Sequence, residues 1–350
     1  MYHRLLHHRC RVRNPKDATA FFIPYDDVAD STGYYGMPPA KQSAATGHLA
    51  TSYHPTEAAS TEGNHCRAGR DLYNAIASAT PGSTHYLERH GGRDHFMVHS
   101  RVSHFDECYH FEELRPFFDH VIQLDIERLS SDSAKMSGAP IPMALPPRHD
   151  VPYPSYFHAD LYGTTAPPPW QRATRRPMLA MHSAGEHGDS VKLRHVLTDA
   201  CKANVLCNFL PIPEEYRDFP PVQMFSSLAK AMLGARYCLQ PPGDTPSRKA
   251  MVDSVLLGCI PVLFSRRQTT LWPWHWRAAK VSVVLDGDAV EKGTLDVFDE
   301  LARIPASREG AMRQALQAVA YGMQYNLRDV PGVHDAFDVI MERLAQVMRG

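Results

Sequence analysis

The feature that most constrains the fold is a regular alternation of short apolar segments and amphipathic segments between Met178 and Gly287. Apolar runs such as MLAMH, NVLCNFL and RYCLQ are each followed by a longer segment whose apolar residues recur at helical spacing. Strands that alternate with helices in this way pair in parallel, because each helix returns the chain to the same end of the sheet. This part of the chain is therefore predicted to be an α/β domain with a doubly wound sheet.

The N-terminal part of the chain shows a weaker form of the same pattern. Apolar runs over Thr19–Tyr25, Asp94–Ser100 and His120–Ile126 predict buried strands. Residues 31–63 are instead rich in Gly, Pro, Ser, Thr and Ala without periodicity, which indicates a loop or insertion. We expect a second α/β domain with a largely parallel sheet.

Proline marks the boundary between the two predicted domains. Its densest usage lies between residues 137 and 177, where extended connecting chain is expected because proline donates no backbone hydrogen bond and disfavours helix before it. A length of 350 residues also suits two domains better than one. We predict a Rossmann-like N-terminal domain over 1–165, a Rossmann-like C-terminal domain over 175–330, and a final helix over 331–350 that packs back on the first domain.

The amino-acid composition limits the kinds of molecule that the chain is expected to bind. Lys and Arg total 37 against 38 Asp and Glu, so no overall field recruits nucleic acid, and any anion site must be local. No run approaches the roughly 18 to 20 apolar residues that span a bilayer. Seven scattered cysteines without a C-x-x-C pair leave one or two disulfides open, and the 20 histidines form no metal-binding motif. No metal site is predicted.

The segment PPGDTPSRKAM predicts an anion site. It follows a strand and contains a turn at Gly243 and Asp244, and the next helix is expected to begin near Ser247. The first N–H groups of a helix have no intrahelical partner and attract phosphate. Ser247 either caps the helix or donates to a phosphate oxygen, and Arg248 supplies a forked cation. The alternative is an ordinary cap, a surface arginine and a turn glycine.

The longer segment PPGDTPSRKAMVDSVLLGCIPVLFS resembles the signature of the exostosin family, glycosyltransferase family 47. Further segments resemble other family blocks in the expected order, among them GGRDHFMVHS, RHDVPYP and RRPMLAMHSAG. The resemblance covers roughly residues 10 to 348. It implies a GT-B architecture, in which two Rossmann-like domains face each other across a cleft. It also implies a UDP-sugar donor in the C-terminal domain and a glycan acceptor against the N-terminal domain.

The resemblance assigns the donor side of the site. Gly243, Asp244, Ser247 and Arg248 match the family's donor motif, and Arg248 would stabilise the departing diphosphate without a metal. Gly185 and Arg194 correspond to a family segment that approaches phosphate or sugar. For Arg194 a solvated helix face is the alternative.

The acceptor side is less sharply defined by the sequence. The family inverts the anomeric centre, which requires a base, and Asp94 and His95 in GGRDHF are the candidates. The alternative is that His95 orients Asp94 or packs beneath the strand, while Arg93 pairs with Asp94. Arg93 and Asp150 are further substrate-binding candidates, and Asp150 is a third possible base or a turn residue.

Three tryptophans in LWPWHW, Trp272, Trp274 and Trp276, either stack on a sugar or anchor the core. The family resemblance implies residence in the Golgi lumen or membrane, although no anchor is visible in the sequence. It also implies homomeric or heteromeric complexes with other glycosyltransferases, and it requires no cofactor besides the donor. A rival function is a catalytically inactive exostosin-like binding or chaperone partner of an active glycosyltransferase.

Overall fold

A computed structural model describes residues 1–8, 10–24, 71–72, 89–99, 120–127, 148–155, 167–172, 175–185, 190–212, 222–243 and 245–349. The predicted insertion over 31–63 and Asp244 lie outside these residues. The chain divides into an N-terminal unit, which is Tyr2, Arg4–Val151 and Arg343–Gly350, and a C-terminal unit, which is Met1, His3 and Pro152–Glu342. The boundary after Val151 falls inside the proline-rich segment. The predicted domain bounds stay a prediction.

The N-terminal unit contains a parallel sheet, as predicted. The strands among the described residues are β1 (Phe21–Phe22), β2 (His95–Val98), β3 (Ile122–Asp125) and β4 (Arg148–Asp150), and they lie in that order. Every neighbouring pair is parallel. Asp150, for which a turn was one interpretation, is the last residue of β4 and lies opposite Asp125.

The C-terminal unit contains the predicted doubly wound α/β sheet. Its strands are β5 (Met178–His182), β6 (Cys207–Phe209), β7 (Ala235–Gln240), β8 (Ile260–Leu263) and β9 (Val283–Val284). All pairs are parallel, and the spatial order is β6-β5-β7-β8-β9. The chain therefore starts in the second position, steps to one edge and then builds outward to the other edge. This order is one of the two common doubly wound arrangements, and its switch point lies between β5 and β7.

The helices of the described part are, in chain order, α1 (Tyr2–Leu6), α2 (Val191–Ala203), α3 (Val222–Gly234), α4 (Lys249–Leu256), α5 (Ala278–Val281), α6 (Gly287–Glu291), α7 (Val297–Ala302), α8 (Ala306–Ala320) and α9 (Ala336–Val347). Amphipathic spacing predicts α2, α3, α4, α8 and α9, whereas α1, α5, α6 and α7 are not predicted by it. The apolar run KVSVVLDG (280–287) predicts a strand, but its first residue, Lys280, lies in α5. No helix of the described part is long and apolar enough to cross a membrane.

The side chains of β7 pack alternately on the two faces of the C-terminal sheet. Tyr237 and Leu239 pack in one buried cluster together with Val252 of α4. Cys238, between them, packs in a separate cluster together with Met232 of α3. Successive side chains of a strand point to opposite faces, so the consecutive apolar residues 237–239 must be covered by helices on both sides of the sheet.

Arg176 ties the amino ends of this sheet together. Its Nη1 donates to the carbonyls of Met232 and Ala235, both at 2.8 Å, and its Nη2 donates to Leu257 at 2.7 Å. Gly258 has a φ of +68°, and a Cβ there would lie 2.7 Å from the Arg176 Nη2 atom. A side chain at position 258 is therefore excluded both by backbone conformation and by the guanidinium group.

The structure pairs four of the cysteines in the part of the chain that it describes; Cys66 and Cys108 lie outside that part. Disulfides join Cys201 to Cys207 and Cys238 to Cys259. The second links β7 to the residue before β8, and the chain between its two cysteines contains the whole PPGDTPSR segment. It therefore closes a loop around the candidate anion site.

We expect the Cys238→Ala, Cys259→Ala double variant to lose about 3 kcal/mol of unfolding free energy, because the unfolded chain regains the entropy of a loop of this size. The matched comparison is Cys201→Ala with Cys207→Ala, whose cysteines are 6 residues apart instead of 21, and which should lose about 2 kcal/mol. Urea denaturation of both variants measures the difference. An equal or larger loss for the shorter loop would contradict the assignment.

Candidate functional site

The candidate anion segment lies at the switch point of the C-terminal sheet. Residues 183–185 follow the carboxyl end of β5, and residues 241–243 follow the carboxyl end of β7, its neighbour. Ligands of open α/β sheets bind outside the carboxyl ends of the strands at such a point, because the connections leave on opposite sides and open a crevice. The topology thus places the motif where a ligand site is expected.

Arg194 of α2 joins these two loops. Its side chain donates from Nη1 to the Gly185 carbonyl at 2.9 Å and from Nε and Nη2 to the Pro242 carbonyl at 3.1 and 2.8 Å. Arg194 is only 3% exposed, so the interpretation as a solvated helix face is wrong. These hydrogen bonds set the distance between the loop after β5 and the loop after β7, and Gly185 contributes only its backbone carbonyl to them. A direct contact of either residue with phosphate stays a prediction.

Arg248 reaches into the same two loops. Its Nη2 lies 3.2 Å from the Ser183 carbonyl and its Nη1 lies 3.4 Å from the Pro241 carbonyl. Burial, followed by the charge of Arg194, lowers the pKa of Arg248 to about 9. Among the described residues, which exclude Asp244, no carboxylate lies within ion-pair distance of Arg248. A partly buried cation that is balanced, within the described part, only by carbonyl dipoles favours an anionic ligand.

The helix that follows starts two residues later than predicted. Lys249 is the first residue of α4, and Arg248 holds the cap position without a capping side-chain hydrogen bond. The predicted N-cap role of Ser247 is therefore wrong. Ser247 is 4% exposed, and its Oγ lies 3.4 Å from both Thr245 Oγ1 and Tyr153 Oη. It remains a hydroxyl beside the start of the helix.

Gly243 closes the turn before the helix. Its N–H donates to the Thr245 carbonyl at 2.8 Å, and a Cβ would lie 3.4 Å from the carbonyl oxygens of Thr245 and Ser247. These are ordinary van der Waals distances, and Gly243 does not have a positive φ, so the geometry alone does not require glycine at this position. The role of Gly243 in binding phosphate stays a prediction.

Local sequence patterns do not reveal that the segment after β4 contacts the helix at this site. Ser155 donates to Asp253 Oδ1 at 2.5 Å, and Lys249 donates to Asp253 Oδ2 at 2.6 Å. The Tyr153 ring packs edge-on against Trp272 at 6.4 Å between centroids. Residues distant in sequence therefore hold the first turn of α4. Only the Lys249 and Asp253 pair, four residues apart on one helix, has a local sequence signal.

Gln268 fixes the strand ends beside the site. It is fully buried, donates from Nε2 to the Gln240 carbonyl at 3.0 Å, and accepts from the Phe264 N–H at 2.9 Å. With Ser265 it forms a capping box. The pattern Ser-x-x-Gln in SRRQ is the sequence signal that could have identified it.

His182, the last residue of β5, has no exposed surface. Burial, together with the positive charge of Arg248, lowers its pKa to about 3. The ring therefore stays neutral at physiological pH and adds no charge to the two arginines.

The tryptophans anchor the core of the C-terminal unit. Trp272 and Trp276 are 0% and 4% exposed, and Trp276 donates from Nε1 to the Leu271 carbonyl at 2.8 Å. The interpretation as a sugar platform is therefore wrong for both residues.

In the N-terminal unit, Asp94 and His95 lie at the start of β2. The Asp94 carboxylate lies 2.8 Å from His95 Nδ1, and the His95 ring stacks on Phe21 at 4.8 Å. Both are buried, whereas Arg93 is exposed. The structure thus places these two candidates at the amino edge of the sheet. Their role as a base stays a prediction.

The carboxyl edge of the N-terminal sheet gathers other ionisable side chains. Asp150 is 4% exposed and lies opposite Asp125 in the register of β3 and β4. Asp125 Oδ1 lies 3.9 Å from His99 Nε2, and Asp125 Oδ2 lies 3.8 Å from Arg148 Nη1. Sequence spacing did not reveal this cluster, because parallel pairing brings its members together from three separate strands.

No three His, Cys, Asp or Glu side chains in the described part are placed to hold a metal ion.

A sequence profile described as the Exostosin GT47 domain matches residues 1–294. The chain belongs to the exostosin GT47 family. The family assignment made from the PPGDTPSR segment and its companion blocks is confirmed.

Relatives from Arabidopsis thaliana include the "Probable xyloglucan galactosyltransferase GT13", 28% identical over 73% of this chain and 54% of its own length. Another is the "Xyloglucan-specific galacturonosyltransferase 1", 24% identical over 97% of this chain and 47% of its own length. The chain thus spans about half the length of these two exostosin relatives. Among solved structures, the GtfA/B complex matches with a TM-score of 0.40 and 11% identity over 80% of this chain and 60% of its own. That score is too low to carry an argument.

The neutral state of His182 predicts a pH-dependent stability. Its folded pKa, about 3, lies below the ordinary value of about 6.5. The unfolded state therefore binds more protons in that window, and stability is lost as the pH falls from about 6.5 towards 3. Between pH 7.5 and 5.0 this one group should cost about 2 kcal/mol.

We expect His182→Asn to reduce the loss of unfolding free energy between those two pH values by that amount, as measured by urea denaturation. The control is His195→Asn, which changes an exposed histidine on α2. If the His182 variant and the wild-type protein lost equal stability on acidification, the buried neutral histidine would be refuted.

Proposed function

We propose that this exostosin family member transfers a sugar from a UDP-sugar to a glycan acceptor with inversion at the anomeric carbon. The observation that carries the proposal is the placement of Arg248, a partly buried cation without a carboxylate partner among the described residues, at the switch point of the C-terminal sheet. The proposal includes the GT-B arrangement, in which the N-terminal domain binds the acceptor.

On the donor side, the diphosphate would bind where the Pro241–Gly243 turn meets the start of α4. Arg248 offers a planar guanidinium whose fork matches phosphate oxygens. Ser247 offers a hydroxyl, and the helix N-terminus adds its dipole. Asp244 would accept from ribose or sugar hydroxyls. Arg194 and Gly185 would hold the loops in register, which makes Arg194 a positioning residue.

In the proposed reaction, the acceptor hydroxyl oxygen forms a bond to the anomeric carbon as the bond from that carbon to the diphosphate oxygen breaks. The hydroxyl proton passes to a base of the protein, and UDP leaves with the bonding electron pair. Charge develops on the diphosphate, and the cation of Arg248 and the dipole of α4 would offset it. These groups support a transfer that requires no metal ion.

For the base, the fold favours Asp150 over Asp94 and His95. Asp150 ends β4 at the carboxyl edge of the N-terminal sheet, where open α/β sheets bind ligands. Asp94 and His95 precede or begin β2, at the opposite edge. Arg93, which is exposed, remains a candidate for acceptor contacts.

The relatives suggest the substrates. Their printed names describe galactosyl and galacturonosyl transfer to xyloglucan, so we propose UDP-galactose or UDP-galacturonate as donor and a cell-wall polysaccharide such as xyloglucan as acceptor. The two disulfides fit an oxidising compartment, which supports the Golgi lumen. A complex with other glycosyltransferases is part of the proposal.

We expect Arg248→Ala to weaken UDP binding by about 100-fold while the fold is retained, because the variant removes a charged phosphate contact and no ion pair. Arg194→Met should instead lower the unfolding free energy by about 3 kcal/mol, because it leaves the Gly185 and Pro242 carbonyls without their donor. Calorimetric titration with UDP and urea denaturation measure the two effects. The matched control is Arg303→Ala, a change at an arginine with a 69% exposed side chain. Unchanged UDP affinity in Arg248→Ala would refute the donor site.

We expect sugar transfer to persist in the presence of a chelator, because side chains and the helix dipole stabilise the leaving diphosphate. The assay measures transfer from UDP-galactose to xyloglucan oligosaccharides with EDTA and after dialysis. Complete inhibition that manganese reverses would overturn metal independence. UDP binding without any transfer would favour an inactive binding partner.

A further inference from the structure

A second cationic site lies at the opposite edge of the C-terminal sheet. A cavity of about 400 Å³ is lined by Trp170, Gln171, Arg172, Arg176, Arg236, Glu309, Arg313 and Gln317. This volume falls within the range of small-molecule pockets. Arg176 precedes β5 and Arg236 is the second residue of β7, so the cavity opens at the amino edge of the strands. The candidate UDP site lies at the carboxyl edge.

Charge is strongly unbalanced in this cavity. Three partly buried arginines, Arg176, Arg236 and Arg313, and one glutamate line it among the described residues, which leaves a surplus of two positive charges. Glu309 is shared between Arg236 and Arg313: Arg236 donates to Oε2 through both Nε and Nη2, and Arg313 donates to Oε1 at 2.9 Å. One carboxylate therefore serves two guanidinium groups.

The shared carboxylate stays ionised. Burial acts to raise the pKa of Glu309, but hydrogen bonds from Arg236 and Arg313 outweigh burial and hold the pKa below its ordinary value. The pKa of Arg176 is also lowered, to about 10, by burial and then by the charge of Arg313. The positive groups thus repel one another, and Glu309 compensates for only part of their charge.

The arginines are also held in place. Arg176 binds three backbone carbonyls, and Arg313 donates from Nη1 to the Gly258 carbonyl at 2.6 Å. Glu309, Arg313 and Gln317 are spaced four residues apart on α8, which places them on one face of the helix. Each guanidinium carries five N–H donors, more than these contacts use on Arg236 and Arg313. The cavity wall therefore contains guanidinium N–H groups of Arg236 and Arg313 that are fixed in place and available to hydrogen-bond a ligand.

Trp170 closes the same wall on the side of the core. It is 2% exposed, its ring packs edge-on against Tyr321 at 5.0 Å between centroids, and Gln317 donates to its backbone carbonyl at 3.0 Å. The arginines therefore provide the donors that a ligand in the cavity would meet.

We propose that this cavity binds a phosphate or sulfate group, either as a free ion or as part of a small phosphorylated or sulfated sugar. Arg236 and Arg313 provide the main contacts, and Arg172 lies at the exposed rim. The site is separate from the proposed donor site and would allow an anion to bind while UDP is bound.

The test is calorimetric titration of the full chain with sodium phosphate, sodium sulfate and glucose 6-phosphate at constant ionic strength set by chloride. Each titration is run with and without saturating UDP. We expect saturable binding of at least one oxyanion that persists in UDP. Tighter binding of glucose 6-phosphate than of phosphate identifies a sugar-linked group, and the reverse identifies the free ion.

Variants separate this site from the donor site. Arg236→Gln should weaken oxyanion binding about tenfold and leave UDP binding intact, and Arg248→Ala should do the opposite. Arg236→Lys keeps the charge but loses the forked guanidinium. Its oxyanion affinity should therefore lie between those of the wild-type protein and Arg236→Gln. Arg303→Gln makes the same change in net charge outside the cavity and serves as the control. Glu309→Gln removes the competing carboxylate and should strengthen oxyanion binding.

Three outcomes would overturn the proposal. The first is oxyanion binding no stronger than that of chloride at the same ionic strength. The second is an equal loss in Arg236→Gln and in Arg303→Gln, which would indicate an effect of net charge alone. The third is a loss in Arg248→Ala with retention in Arg236→Gln, which would place the anion in the donor site. Circular dichroism and melting temperature establish that each variant is folded.

Discussion

The C-terminal unit depends on arginines that are buried against backbone carbonyls. Arg194 binds the loops after β5 and β7 at the carboxyl edge, and Arg176 binds the ends of α3 and α4 together with the start of β7 at the amino edge. Carbonyl dipoles solvate a guanidinium without neutralising it. The same contacts that hold the strand ends therefore leave positive charge inside the unit, and both candidate anion sites follow from that charge.

The carboxyl and amino edges of the C-terminal sheet differ in how the positive charge of the arginines is balanced. At the carboxyl edge, Arg248 adds to Arg194 with no carboxylate partner in the described part, and the glycine turn and helix start lie beside it. At the amino edge, Glu309 partly balances the arginines and fixes their geometry. The first arrangement suits a diphosphate that must bind and leave. The second suits an ion held in a more permanently shaped cavity.

Much of the fold could be predicted from the sequence, and less of the site. Short apolar runs and helical spacing identified the strands from β5 to β9, and the final helix, within a few residues. Local rules failed at Ser247, for which an N-cap of α4 was one interpretation. The chain there bends so that Arg248 occupies the cap position and the Ser247 hydroxyl lies 3.4 Å from that of Tyr153, a residue of the proline-rich segment. Turn geometry of that kind depends on partners that are distant in sequence.

The sequence by itself determined the class of the protein, which is a parallel α/β fold of the exostosin family, and it pointed to a candidate anion site around Gly243 and Arg248. These features are encoded by local periodicity and by a contiguous motif. Only the tertiary structure decided the strand order, the disulfide pairs, the role of Arg194 between two loops and the cluster of Arg176, Arg236 and Arg313. Each of these joins residues from separate strands and helices, and parallel pairing across long connections leaves no short-range pattern from which such neighbours can be read.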